Sequence, residues 1–201
     1  MIKLAVDLDD CLLNTSRLIL DRINQYFSKS IKLEEVVSFH IEKLFNLNAE
    51  VVDMIVQECL STIIRPNRYA VEALNFLSDF YDICFITNRR STQYQSTKTN
   101  LEVLGFKFKY DFYLCNKDSR GIPAKAELLN KLGIEFIIED RPDTIEDIYN
   151  RTNCNILVMD KPWNRNIAEN GRICIVRDWM EIKQVLMDIV LLGEICNGTK
   201  G

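Results

Sequence analysis

The chain has 201 residues, of which 47% are hydrophobic and 27% are charged, and its formal net charge is −4. These proportions are typical of a globular protein that buries a core, with room for one main domain and an insertion. The negative charge argues against binding to a nucleic-acid polymer, and no apolar run is long enough to span a membrane.

Seven cysteines are widely spaced along the chain, without a Cys-x-x-Cys pair, and His40 is the single histidine. This pattern argues against a zinc site and against a disulfide framework, so we expect free thiols in a reducing compartment. No signal peptide precedes the first predicted strand, because acidic residues already begin at Asp7. We therefore expect a cytoplasmic protein.

The first strong pattern is an apolar run over residues 2–6 that leads directly into Asp7, Asp9 and Asp10. A short run of Ile, Leu and Val bounded by polar residues predicts a buried strand. Carboxylates at the carboxyl end of such a strand repel one another, so they need a cation or a proton, and open α/β sheets bind ligands at that end. The alternative is that the acidic residues only cap the helix that follows.

Helical patterns occupy the next part of the chain. Apolar spacing predicts helices over residues 16–28, 51–64 and 69–81, and Pro66 ends or restarts a helix. A crossover between parallel strands needs only one helix. We therefore interpret residues 16–65 as a helical cap, inserted into a core domain made of residues 1–15 and 66–201.

After residue 81, strands and helices alternate regularly. Predicted strands cover residues 82–87, 111–115, 135–139, 155–159 and 173–176, and predicted helices cover residues 91–104, 124–132, 143–151 and 179–192, with a frayed tail from Gly193. This alternation predicts an α/β fold, a Rossmann-like parallel sheet with helices on both faces, and a small α-helical cap inserted after strand one.

Polar residues stand where these predicted strands end or helices begin. In chain order they are Asp7 and Asp9, Thr87, Lys125, and the pair Glu139 and Asp140. This ordered set resembles the four motifs of the haloacid dehalogenase superfamily of phosphohydrolases. Those motifs are Asp-x-Asp after strand one, Thr or Ser after strand two, Lys before a later helix, and an acidic pair after strand four. The resemblance covers the whole chain, including the cap.

The resemblance implies a catalytic role for four of these residues. Asp7 is the expected nucleophile, which forms an aspartyl phosphate and so splits one hard step into two. Asp9 is the expected general acid for the leaving oxygen and then the general base for water. Thr87 is expected to donate its hydroxyl to a phosphoryl oxygen, and Lys125 is expected to neutralise another and to keep Asp7 ionised.

The resemblance also implies a magnesium ion, which oxygen ligands suit and which offsets the repulsion between carboxylates and phosphate. Its expected ligands are the Asp7 side chain, the Asp9 backbone carbonyl and Asp140, with Glu139 as the second choice for the last position. Asn88 and Arg141 are further candidates for contact with the substrate phosphate.

Several residues near these motifs have two interpretations. Lys117 competes with Lys125 for the third motif, and Arg141 can pair with Asp143 instead of phosphate. Asp10 is either a third acid at the site or a helix cap. The remaining ambiguous residues are Arg89 and Arg90, as anion ligands or exposed cations, and Cys11, as a reactive thiol or a small apolar filler.

Two stretches resemble the 5′(3′)-deoxyribonucleotidase branch of the superfamily more narrowly. They are DLDDCLLNT at residues 7–15 and IIEDRPDTI at residues 137–145, and residues 161–164 also resemble a Pro-aromatic-Asn turn of that branch. The sequence departs from the branch at Glu139, where Asp is more usual, and at Asn88, where Ser is common.

We therefore predict a magnesium-dependent phosphomonoester hydrolase that acts on a small phosphorylated substrate, a nucleoside monophosphate and a deoxy one in particular. Aromatic residues of the cap are candidates to stack on the base: Tyr26, Phe27, Phe39, His40 and Phe45. The alternatives are a phosphatase or mutase for a sugar phosphate or other small phosphomonoester, and a non-enzymatic phospho-acceptor or binding domain. The sequence leaves open whether the protein is a homodimer.

Overall fold

The computed structural model describes the backbone of residues 1–115 and 124–198, and side chains as far as residue 192. Lys117, the alternative to Lys125 for the third motif, and residues 121–123 lie outside the described residues. Within the described ranges, no helix combines the length and the apolarity that a membrane crossing requires.

A six-stranded parallel sheet with the order β3-β2-β1-β4-β5-β6 forms the centre of the molecule. Its strands are β1 (Ile2–Val6), β2 (Tyr81–Thr87), β3 (Asp111–Leu114), β4 (Phe136–Glu139), β5 (Asn155–Met159) and β6 (Ile173–Val176). The predicted α/β class with a Rossmann-like parallel sheet is confirmed.

Helices cover both faces of this sheet. The helices are α1 (Thr15–Phe27), α2 (Ile41–Leu44), α3 (Ala49–Leu60), α4 (Ala70–Leu77), α5 (Tyr94–Val103), α6 (Lys125–Leu132), α7 (Pro142–Arg151) and α8 (Trp179–Gly198). Side chains alternate across β1, so Leu4 and Val6 join the core on one face while Ala5 joins the core on the other. The part of a strand that is buried on both faces must be apolar, which explains the consecutive apolar residues Leu4, Ala5 and Val6 before Asp7.

The first strand lies at the point where the strand order reverses. The chain passes from β1 to β2 on one side and returns to β4 on the other, so β1 pairs with both. In open α/β sheets this switch point opens a crevice beyond the carboxyl ends of the strands. The residues that follow β1 and β4, and the last residue of β2, therefore meet at one place.

The helices inserted between β1 and α4, called the inserted helices (α1, α2 and α3), pack around an apolar cluster of their own. The two chain segments that lead into and out of them run side by side. The Asn14 N–H donates to the Arg65 carbonyl at 2.9 Å, and the Asn67 N–H donates to the Leu12 carbonyl at 2.8 Å. Trp163, from the loop after β5, joins this cluster and so links it to the sheet.

Three predicted helix ends differ from the structure by four or more residues. The helix predicted over 51–64 ends at Leu60, and Ile64 instead joins the core of the sheet, where the Asn100 side chain accepts its N–H at 2.7 Å. The helix predicted over 69–81 ends at Leu77, because Tyr81 is already paired with Ile2 as the start of β2.

The third wrong boundary is the frayed tail predicted from Gly193, because α8 continues to Gly198. A glycine inside a helix costs only about 1 kcal/mol relative to alanine. The leucines before it and Glu194 after it are good helix formers, so this cost does not end the helix.

Candidate active site

Asp7 follows β1 and is held beside the end of β4, because its N–H donates to the Ile138 carbonyl at 3.0 Å. Lys125, the first residue of α6, reaches beneath it. Its Nζ donates to Asp7 Oδ1 at 2.5 Å and to Glu139 Oε2 at 2.6 Å. The three side chains are almost completely buried, with exposures of 2% for Lys125, 8% for Asp7 and 2% for Glu139.

One lysine cannot balance this group of carboxylates. Burial raises the pKa of Asp7 to about 8, with Lys125 opposing the rise and the charges of Glu139 and Asp9 adding to it. For Lys125, burial alone would lower the pKa, but Asp7 and Glu139 outweigh it and the pKa is raised. Lys125 therefore stays charged, and Asp7 carries its negative charge at a cost that a bound cation would reduce.

Glu139 and Asp140 are adjacent in sequence but have different surroundings. Besides binding Lys125, Glu139 accepts the N–H groups of Asp140 and Arg141 on Oε1, each at 3.1 Å. Asp140 accepts the indole N–H of Trp163 on Oδ2 at 2.9 Å, and the Cys11 thiol donates to its Oδ1 at 3.7 Å. Both oxygens of Glu139 are thus engaged in holding Lys125 and the start of α7.

The residues best placed to hold a metal ion are Asp7 and Asp140. One ligand atom from each, together with the Cys11 sulfur, lie within 4.8 Å of one another. Burial, followed by the nearby carboxylates, raises the pKa of the Cys11 thiol well above its usual value, so it remains a protonated donor. Burial and the charges of Asp10, Glu139 and Asp7 likewise raise the pKa of Asp140. Two carboxylates in need of a cation, without a thiolate, fit a hard ion such as Mg²⁺.

Asp9 is bound by Arg89, which follows β2 and for which the sequence left two interpretations. Arg89 Nε donates to Asp9 Oδ2 at 2.9 Å and Nη2 donates to Oδ1 at 2.6 Å. The Arg89 side chain is only 1% exposed, so it is neither a surface cation nor a free anion ligand. Arg90, in contrast, is exposed and lies 3.7 Å from Asp53. Sequence reasoning missed the pairing, since nothing in the spacing connects residues 9 and 89.

Asp10 serves to cap the first helix. It has a left-handed backbone with a φ of 63°, and its carboxylate accepts the N–H and the hydroxyl of Ser16 in the first turn of α1. Burial raises its pKa to about 6, against the opposing effects of the Ser16 hydrogen bonds and the Lys161 charge. Asp10 meets both interpretations, because these contacts cap α1 and the residue also lines the cavity at the site.

Three of the four residues predicted to contact phosphate, Thr87, Asn88 and Arg141, line one cavity of about 210 Å³ at the carboxyl ends of β1, β2 and β4. Its lining includes Asp7, Asp9, Thr87, Asn88, Arg89, Glu139, Asp140 and Arg141. Lys125 is absent from this lining because it lies beneath Asp7. Arg141 forms two hydrogen bonds with Asp143, at 2.7 and 3.0 Å, so the alternative partner named from the sequence is present.

The turn at residues 161–164 has a structural role that the sequence did not reveal. The Asn164 amide donates to the carbonyls of Asp140 and Met159, each at 2.8 Å, while Trp163 binds the Asp140 carboxylate. On its other side Trp163 contacts Phe39 of the insertion, with ring centroids 5.2 Å apart. The turn therefore fixes Asp140 and connects it with the inserted helices.

Of the five aromatic residues considered for stacking on a base, Phe39 alone lines a described cavity. Tyr26 and Phe27 contact each other on α1, the His40 side chain is 68% exposed, and Phe45 packs against the apolar cluster of the inserted helices. None of these four residues lines either of the two cavities at the site, so their placement gives no support to a stacking role. The helical spacing of aromatic residues does not by itself indicate which face of a helix they occupy relative to the site.

A second cavity, of about 260 Å³, lies between the inserted helices and the sheet and adjoins the first. The two cavities share Asp9, Asp10, Phe39, Leu60 and Arg141. The additional lining of the second cavity is mostly aliphatic or aromatic, and includes Ile19, Leu20, Leu33, Val36, Ile41, Val56 and Trp163. A polar compartment above the strand ends thus opens beside an apolar one beneath the inserted helices.

Comparison with known families gives one match that spans almost the whole chain. Residues 1–191 match the family described as 5′ nucleotidase, deoxy (pyrimidine), cytosolic type C protein (NT5C). A relative from Oceanobacillus iheyensis, named "Putative nucleotidase OB0422", is 27% identical over 198 residues, which cover 92% of this chain and 98% of that protein.

Solved structures share the fold at lower identity. The haloacid dehalogenase-like hydrolase SP0104 from Streptococcus pneumoniae has a TM-score of 0.61 at 17% identity, covering 90% of this chain and 96% of that chain. YfnB from Bacillus subtilis, described as bound to magnesium, has a TM-score of 0.56 at 15% identity, covering 92% and 98%. The predicted resemblance to haloacid dehalogenase-like hydrolases is confirmed.

The crowding of buried carboxylates predicts how the stability of the metal-free protein depends on pH. The pKa values of Asp7 and Asp10 are raised to about 8 and about 6, so the folded state binds more protons than the unfolded state above pH 4. The contribution of these two groups to stability should therefore be greatest at and below about pH 4, the pKa of an unfolded Asp. It should fall as pH rises toward 8, by up to about 1.4 kcal/mol per pH unit for each proton involved.

Urea unfolding of the protein in EDTA between pH 5 and pH 8 measures this dependence. The Asp7→Asn variant should show a flatter profile than the wild type, while Asp188→Asn, at an exposed position on α8, should keep the wild-type slope. A wild-type stability that increases steadily over this range would contradict the raised pKa values.

Proposed function

Because the chain belongs to the family of cytosolic type C 5′ nucleotidases, we propose that it is a magnesium-dependent hydrolase of nucleoside monophosphates that acts through an aspartyl phosphate on Asp7. The observation that supports this most strongly is the arrangement around the polar cavity. Asp7, Asp9, Thr87 and Asp140 come from three different strand ends and meet there at the switch point of the sheet.

In the first half-reaction we assign the attack on phosphorus to Asp7 Oδ2. Lys125 engages Oδ1, and no donor within the described residues contacts Oδ2. The new bond from Oδ2 to phosphorus forms as the bond to the ester oxygen breaks, and Asp9 gives a proton to the departing alkoxide. The Thr87 hydroxyl and the Asn88 amide, at the end of β2, are available to hold the phosphoryl oxygens.

In the second half-reaction a water molecule attacks the same phosphorus atom, and Asp9 takes up the proton. The bond from phosphorus to Asp7 then breaks, which restores the carboxylate and releases inorganic phosphate. The Lys125 charge, 2.5 Å from Asp7 Oδ1, stabilises the carboxylate before the attack and again as the bond from phosphorus to Oδ2 breaks.

We assign the metal ligands to the carboxylates of Asp7 and Asp140 and the backbone carbonyl of Asp9. Bound Mg²⁺ would neutralise charge on the phosphoryl group and on the carboxylates around it. Asp140 is preferred to Glu139 because Glu139 is already engaged by Lys125 and two backbone N–H groups. The buried turn that carries Trp163 would keep the Asp140 carboxylate oriented toward the ion.

We further propose that residues 16–65 form a cap domain that selects the group attached to phosphate. The apolar cavity beneath it adjoins the polar one and offers a surface of aliphatic side chains and the Phe39 ring. A flat nucleobase fits such a surface, whereas a sugar phosphate would require several hydrogen-bonding groups. We propose deoxynucleotides over ribonucleotides as substrates, because the matched family is described as a deoxy 5′ nucleotidase.

The ligand assignment predicts different effects for two neighbouring substitutions. Asp140→Asn should weaken Mg²⁺ binding by at least about tenfold, or ~1.4 kcal/mol, because an amide is a poorer ligand than a carboxylate. Glu139→Gln should weaken binding less, since that side chain acts through Lys125. Isothermal titration of the folded variants with MgCl₂ compares the two directly.

Asp143→Asn is the matched control, because it removes one acidic charge from the exposed start of α7. Its Mg²⁺ affinity should remain close to that of the wild type. A larger loss for Glu139→Gln than for Asp140→Asn would show that the metal ligand is misassigned, while leaving the fold and the phosphatase chemistry unaffected.

The substrate proposal predicts a preference that kcat/KM measures. Deoxynucleoside monophosphates should exceed hexose and triose phosphates by at least about tenfold, equivalent to ~1.4 kcal/mol of transition-state discrimination. Phe39→Leu should reduce this advantage, because the ring that lines both cavities is lost.

Phe45→Leu is the control for that substitution, since Phe45 belongs to the apolar cluster of the inserted helices and lines neither cavity. It should leave the preference unchanged. If sugar phosphates are hydrolysed as efficiently as nucleotides, the nucleotidase proposal is wrong and a broader phosphomonoesterase remains.

A further inference from the structure

The ion pair between Arg89 and Asp9 stands out among the contacts of the site. The guanidinium binds both carboxylate oxygens in the two-pronged geometry that fixes orientation as well as charge. The guanidinium also contacts α5, where Nη1 donates to the Thr97 hydroxyl at 3.4 Å. An arginine held in this way has little freedom to turn toward another ligand.

The donors are distributed unevenly over the two oxygens of Asp9. Oδ1 accepts Arg89 Nη2 at 2.6 Å and the Thr15 hydroxyl at 2.7 Å, whereas among the described residues Oδ2 accepts only Arg89 Nε at 2.9 Å. A carboxylate oxygen has two lone pairs. Within the described part of the chain, Oδ1 is therefore saturated, and Oδ2 retains one lone pair on a side chain that is 29% exposed at the cavity.

We infer that Arg89 is a positioning residue that holds Asp9 with Oδ2 directed at the ester oxygen of the substrate. The inference rests on the proposed phosphatase function, since it concerns the residue that moves the proton in that reaction. Thr15 assists by occupying Oδ1, and because it is the first residue of α1, the contact joins Asp9 to the inserted helices.

A direct role for Arg89 in binding the phosphoryl group is disfavoured by its burial. The side chain is 1% exposed, and its Nε and Nη2 already donate to Asp9. Substitution of a residue that acts through Asp9 should slow the reaction only where Asp9 transfers a proton to the leaving group. Substitution of a residue that binds phosphate should slow the hydrolysis of every phosphate ester equally.

The experiment compares kcat/KM for two esters, a nucleoside monophosphate and p-nitrophenyl phosphate. An alkoxide leaving group needs a proton from Asp9, and p-nitrophenolate leaves without one. Arg89→Met should lower kcat/KM for the nucleotide by about 10²-fold, the lower end of what general acid catalysis contributes. The loss on p-nitrophenyl phosphate should be much smaller.

A double-mutant cycle tests whether Arg89 acts through Asp9. In the Asp9→Asn background, Arg89→Met should cause little further loss of kcat/KM on the nucleotide, because the effects of substituting residues that work as one unit do not add.

Arg89→Lys keeps the charge but loses the two-pronged contact. It should therefore fold more readily than Arg89→Met and show an intermediate loss of kcat/KM, with the same difference between the two esters.

Arg172→Met is the structural control. Arg172 donates to the carbonyls of Thr152 and Tyr149 at 2.6 and 2.7 Å near the opposite, amino edge of the sheet, so its loss should affect stability and not the ratio between the esters. Equal losses on both esters for Arg89→Lys and Arg89→Met, or additive losses in the Asp9→Asn background, would overturn the inference. A wild-type protein that hydrolyses neither ester would instead overturn the proposed function.

Discussion

Repulsion between buried carboxylates at the carboxyl ends of β1 and β4 is the constraint on which this site depends. Asp7, Asp9, Asp10, Glu139 and Asp140 meet there, and within the described residues only Lys125 and Arg89 form ion pairs with them. The burial of these acids raises the pKa values of three of them. Such an arrangement is costly unless a cation binds, and this cost supports the proposed metal site.

The fold supplies the rigidity that this concentration of charge requires. Each acidic residue near the reaction centre is held by backbone or buried donors: Asp7 by β4 and Lys125, Asp9 by Arg89, and Asp140 by Trp163. The inserted helices reach the same residues through Thr15 and Phe39. On the proposed function, the region that would select the substrate is therefore in direct contact with the residues that would carry out the chemistry.

Much of this architecture could be predicted from local patterns. An apolar run ending in acids indicated β1, and the alternation after residue 81 indicated the remaining five strands, because burial on both faces imposes continuous apolar sequences. The order of Asp7, Thr87, Lys125 and Asp140 then placed them at one edge of the sheet. The structure does bring Asp7, Thr87 and Asp140 to one cavity, with Lys125 beneath.

Contacts that depend on tertiary packing could not be predicted in this way. Arg89 binds Asp9 across 80 residues of sequence, and Trp163 binds Asp140 across 23, although nothing in the spacing of either pair signals contact. The aromatic residues of the insertion were also indistinguishable by pattern, and only the packing of the loop before α2 brings Phe39 to the cavity. The boundaries that were wrong, at Leu60 and Leu77, were likewise decided by pairing and burial elsewhere.

The central claim is that Asp7 carries the phosphoryl group, and chemical trapping tests it most directly. Enzyme mixed with a nucleoside monophosphate and magnesium is quenched during turnover and treated with borohydride, which reduces an aspartyl phosphate to homoserine. Mass spectrometry of the peptide spanning residues 2–17 should then locate homoserine at position 7 and nowhere else, and the Asp7→Asn protein should show none. Turnover without modification at position 7, or modification at another acidic residue, would contradict the account.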